Sequence, residues 1–145
     1  MSWFNYYGLI IVVLILVPNI IYSVKKKDEF INSNNKILNV LEQIGRYGSI
    51  TFMIFNIPYT YFGFFFKSGL MTYLIINGVL LFSYEIIWIV CWDKNEKFKA
   101  YSLSIIPSAI FVLSGILILN IPLMVVASIF ALSHITISIK SIKKY

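Results

Sequence analysis

One acid stands deep inside an apolar run: Glu85, in the stretch TYLIINGVLLFSYEIIWIVCW. The only histidine, His134, stands in another apolar run near the end of the chain. An ionised carboxylate in hydrocarbon costs several kcal/mol unless it is paired, hydrated or neutral. An imidazole at similar depth is a natural partner. Glu85 and His134 are therefore expected to form an ion pair or share a proton. Tyr84, Trp88 and Trp92 surround Glu85 in sequence and supply aromatic walls. A carboxylate beside such walls suits a small organic cation or amine, through charge pairing and cation–π attraction. The chemistry, though nothing more, is similar to that of small multidrug exporters, which rely on one membrane-embedded Glu with aromatic neighbours. Their spans are fewer and the Glu stands in the first, so the chain is not assigned to that family.

The elements that must position these groups are membrane helices. Of 145 residues, 59% are hydrophobic and 12% charged, against roughly 25% charged in soluble domains. Mean hydropathy is +0.84. One span needs about 20 residues. Five apolar stretches fit, at about 4–24, 49–66, 68–92, 101–119 and 121–139, leaving short loops and one domain. The first stretch has no basic segment before it and no small-residue cleavage site, so it is expected to be a retained span rather than a signal peptide. The fold expected is all-α, an integral membrane bundle of five transmembrane helices.

The longest polar stretch, 25–48, contains KILNVLEQIGRY, with apolar Ile37, Leu38, Leu41 and Ile44 at helical spacing and Glu42 four residues before Arg46. This predicts a short amphipathic helix at the cytoplasmic surface. The alternative is the aqueous start of the second span. Eleven of the twelve Lys and Arg fall in 25–48, 93–99 and 140–144, and only Lys67 falls in the other loops. The positive-inside rule then puts the N-terminus out and the C-terminus in. The net charge of +6 reads as topology, not as a nucleic-acid surface. The Ile, Lys, Asn, Phe and Tyr bias suits an AT-rich genome, so a bacterial plasma membrane is expected.

Aligning the spans by their cytoplasmic ends brings Asn19, Asn56, Glu85, Ser108 and His134 to one level, about 9–12 Å inside the boundary at 1.5 Å per residue. Pro18, Pro58 and Pro107 fall close to that level. Prolines free backbone carbonyls that must find partners or water. The layer is expected to be a small hydrated cavity open to the cytoplasm; the competing reading is interhelical hydrogen-bond packing. The tripeptide NIP at 56–58 and 120–122 reads as a chance match, and no internal repeat is evident.

Metal and cofactor signatures are absent from the sequence. One His cannot make a di-histidine site, and Cys91, the one cysteine, excludes an intrachain disulfide and a CxxC pair. Neither H-E-x-x-H, G-x-S-x-G nor a P-loop occurs, so no catalytic residue is assigned. The function expected is a transporter or ligand-binding protein. The alternatives are a non-catalytic accessory, immunity or sensor subunit acting on a membrane partner, and a lipid-modifying enzyme running on Glu85 and His134.

Overall fold

The computed structural model describes residues 3–25, 35–93 and 96–143. Residues 26–34, part of the polar segment between the first two spans, lie outside the described residues, as do Lys94 and Lys144. Among the described residues the chain forms five α-helices and no β-strand: α1 (Tyr6–Lys25), α2 (Lys36–Ile54), α3 (Gly69–Val90), α4 (Glu96–Leu117) and α5 (Ile121–Ile142). Four of them, α1, α3, α4 and α5, are long and apolar enough to cross a membrane.

The second helix departs from the sequence expectation. The polar stretch and the start of the second apolar run form one 19-residue helix, α2, which stops at Ile54. The expected span over 49–66 is not helical beyond that point. Proline is the reason. Pro58 has no N–H to offer the carbonyl of Ile54, and it disfavours helical backbone at Ile57. The freed Ile54 carbonyl accepts instead from the Asn5 N–H, at 2.7 Å. Pro18 and Pro107 remain inside α1 and α4. At its other end α2 is capped by Asn35, whose side chain accepts from the N–H groups of Ile37 and Leu38.

Within the bundle, α2 buries its small and polar face. Its inward face is Glu42, Gly45, Ser49 and Met53. Ile37, Leu41 and Ile44 face outward, with Ile37 72% exposed. Small residues on the inward face are what helices use where they pack closely.

Isolated bridges define one end of the bundle. Phe4 pairs with Phe55, and Tyr61 with Asn120. The start of α1, the end of α2 and the α4–α5 turn therefore share one end, rich in aromatic residues. The segment between α2 and α3 closes it, through Asn56 N–H to Trp3 O (2.8 Å), Ile121 N–H to Thr60 O (3.1 Å) and Phe65 N–H to Leu117 O (2.9 Å). The opposite end carries Lys25, Lys36, Lys99 and Lys140. We call these the aromatic and the basic end.

Asn120 caps α5 by accepting from Leu123 N–H, with Pro122 in the first turn. Its amide also donates to Asn56 Oδ1 at 3.3 Å. The two NIP segments thus meet through their asparagines.

Helix α5 packs on α2 and α4, while α3 packs on α4 and α1. Glycines set the closest approaches. A Cβ on Gly45 would lie 2.6 Å from backbone atoms of Phe130, so only glycine lets α2 press onto α5 there. Gly8 likewise meets the backbone of Met53, which fixes α1 against α2 at the aromatic end.

Candidate functional site

His134 does not meet Glu85. Its Nδ1 lies 3.1 Å from Oε1 of Glu42, and the same oxygen accepts from Nη2 of Arg46. The local cause is the Gly45–Phe130 approach. Glu42 is one helical turn before Gly45, and His134 is one turn after Phe130, so contact between the backbones brings the two side chains together. The imidazole stacks on the Phe130 ring, with centroids 4.7 Å apart and planes 18° apart. Phe130 in turn meets Phe111 edge-on.

Side-chain exposure is 8% for Glu42, 22% for His134 and 44% for Arg46. The carboxylate is sealed behind its two partners, and the partners look outward. What they face is a cleft of about 370 Å³ between α1 and the α2, α4 and α5 helices. Asn19, Tyr22 and Ser23 of α1 line it together with Arg46, His134 and Pro107, and Val12, Ile15, Ile50, Phe111 and Phe130 make its apolar wall. Helices α1 and α2 touch at Gly8–Met53 and are separated by this cleft at the level of Asn19 and Arg46.

The Glu42 contact determines what the imidazole presents. Nδ1–H donation to a carboxylate fixes the ring and its tautomer. Nε2 then has no protein partner among the described residues, in a side chain that lines the cleft.

The expected layer is brought together only in part. Asn19 lines the cleft, and its amide nitrogen donates to Tyr84 OH at 2.6 Å and to Ile15 O at 2.9 Å. Pro18 is buried beside it in α1. Ser108 is buried in α4 and spends its hydroxyl on Ser104 O, at 2.7 Å, while Ser104 and Ser138 join α4 to α5 through their hydroxyls. Asn56 lies at the aromatic end, far from the level assigned to it. Its depth was counted from a cytoplasmic start at Ser49, but α2 begins thirteen residues earlier, at Lys36.

Glu85 does not line the cleft. The inward face of α3 is Tyr73, Asn77, Tyr84 and Trp88. Glu85 is one residue past Tyr84, about 100° around the helix. One of its carboxylate oxygens, Oε1, is buried without a hydrogen-bond partner among the described residues. The aromatic wall does assemble. Trp88, Trp92 and Tyr22 have ring centroids 5.0–5.8 Å apart, and Tyr84 meets Trp88 edge-on. The cations on it are the chain's own. Lys99 Nζ sits 4.6 Å from the Tyr22 ring and donates to Tyr22 OH and Trp92 O, and Lys25 Nζ is 5.6 Å from the Trp92 ring.

Sequence reasoning missed Glu42, Gly45 and Arg46 as site residues. The signal was available. Glu42, Gly45, Ser49 and Met53 stand three, four and four apart, which places them on one face of a helix. Among the described residues no three His, Cys, Asp or Glu side chains gather as a metal site would need. No protein-family model, curated protein or solved structure matches the chain.

Proposed function

We propose that the chain is a five-pass plasma-membrane protein, N-terminus out and C-terminus in, that binds and transports a small ligand through a cleft open to the cytoplasm. The observation that carries this reading is the contact of His134 Nδ1 with Glu42 Oε1 in the wall of the cleft. A charged, hydrogen-bonded group at membrane depth is costly, and such groups mark ligand and proton paths. Arg46 and His134 turn toward the cleft rather than closing it, which favours a binding role over packing.

Topology follows from the same features. Helix α2, about 28 Å long at 1.5 Å per residue, is close to the hydrocarbon thickness. Its exposed aliphatic face suits lipid, which makes it the second of five passes. The basic end then faces the cytoplasm, by the distribution of Lys and Arg. A bacterial origin is supported by composition alone.

A second reading, a membrane-embedded enzyme on lipid-like substrates, is favoured by the orientation of His134. In it Nε2 would act as general base and Glu42, not Glu85, would hold the ring.

Thiol accessibility tests the first reading. In a Cys91→Ser background, single Asn19→Cys, Ile50→Cys and Lys67→Cys variants are labelled in oriented vesicles with a membrane-impermeant reagent. Asn19→Cys and Ile50→Cys are expected to label from the cytoplasmic side, and Lys67→Cys from the other. Folded protein in which neither cleft position labels from either side would mean a dry core and would remove the transport reading.

A further inference from the structure

The cleft is graded along its length. The hydrogen-bonding groups of α1, α2 and α5 are concentrated toward the basic end, where apolar Ile20 and Leu103 also line the cleft. Asn19 and Ser23 lie beyond Val12 and Ile15 on α1, Arg46 lies beyond Ile50 on α2, and His134 lies beyond Phe130 on α5. A polar mouth over an apolar depth matches an amphiphile, with its head at the basic end and its chain inside.

The sign of the head follows from Arg46, whose guanidinium is always charged. Among the described residues no Asp or Glu lines the cleft, whereas Arg46 and His134 do. Glu42 is close by but sealed, and its Oε1 already accepts from both of them. Arg46 commits Nη2 to Glu42 and keeps its remaining N–H groups, which suit the oxygens of a carboxylate or phosphate. At about 370 Å³ the space falls at the lower end of ligand cavities, which run from roughly 300 to 1,000 Å³.

We infer that the cleft binds an amphiphilic anion, a single acyl chain ending in a carboxylate or phosphate, with its head on the free N–H groups of Arg46, beside His134, and its chain along Val12, Ile15, Ile50 and Phe111. The inference rests on the binding reading above and names the ligand class. A free fatty-acid anion and a single-chain phospholipid share this chemistry.

The test is displacement of a fluorescent fatty acid, cis-parinarate, from the purified full chain in nonionic micelles. Competitors with different heads are dodecanoate, lysophosphatidylglycerol, dodecylamine and dodecanol. One or both anions are expected to displace the probe at concentrations at least tenfold below those of dodecylamine and dodecanol. Dodecanoate alone would point to fatty acids and lysophosphatidylglycerol alone to phospholipid. Arg46→Gln should remove the anion preference and Arg46→Lys should keep most of it; the Lys variant serves if the Gln variant does not fold. Ile50→Trp, which fills the depth, should weaken dodecanoate more than hexanoate. An amine bound as well as the anions, or an anion preference that survives Arg46→Gln in folded protein, would overturn the inference. Failure of every amphiphile, probe included, would overturn it too. If Asn19→Cys and Ile50→Cys still label, the cavity reading survives that failure; if they do not, both fall.

Discussion

Glu42 and Glu85 are two acids in one apolar bundle, and their surroundings differ in kind. Glu42 sits at the α2–α5 seam, where Gly45 lets the backbones meet and an imidazole and a guanidinium share one carboxylate oxygen. Glu85 sits at the edge of α3's inward face, with one buried oxygen that no group among the described residues satisfies. The lesson concerns geometry more than hydrophobicity. An acid is accommodated where small residues on its own helix bring a partner helix within hydrogen-bond reach. A long apolar context makes an acid conspicuous without supplying that partner.

The comparison can be broken most forcefully at the glycines. Gly45→Val should separate α2 from α5 and cost about 3 kcal/mol, at the top of the usual overpacking range. Gly78→Ala on α3, where a Cβ meets nothing within 4 Å, should be neutral or stabilising by up to about 1 kcal/mol through helix propensity. Thermal unfolding in detergent reads both, and equal losses would contradict the seam as the close contact. Next comes Glu42→Leu, which strands His134 and Arg46 and should cost about 2 kcal/mol, the order of leaving buried donors unsatisfied. Glu85→Gln should stay within about 0.5 kcal/mol of the native protein. A reversed order would place the important acid on α3. Smallest is Ser114→Ala, which removes the 3.0 Å donation to Asn77 Oδ1 across α3 and α4. Its cost should be about 0.6 kcal/mol, typical of interhelical hydrogen bonds in membranes.

Much of the fold was legible because membrane helices announce themselves by apolar length. The stretches that became α1, α3, α4 and α5 were found within a few residues. The extent of α2 was not, because the polar stretch and the start of the second apolar run, which differ in composition, fold as one helix with Ile37, Leu41 and Ile44 exposed. Pro58 added to the error. It stands in an apolar run as Pro18 and Pro107 do, yet here it ends the helix, because the start of α1 satisfies the freed Ile54 carbonyl. Asn56 was misplaced in depth for the same reason. Asn19 and His134, whose depths were counted from helices that the hydropathy bounds well, both line the cleft. The partner of His134 was not legible, because the choice between Glu42 and Glu85 depends on which helices neighbour α5.

The pairing of Glu42 with His134 is the claim on which the rest depends, and a double-mutant cycle tests it directly. Glu42→Gln, His134→Gln and the double variant are unfolded by denaturant in the same micelles, beside the parallel cycle with Glu85→Gln. The account predicts a coupling of about 1–2 kcal/mol between positions 42 and 134, in the range of contacting residues, and additivity within about 0.5 kcal/mol between 85 and 134. Additivity at 42 and 134, or coupling at 85 and 134, would contradict it.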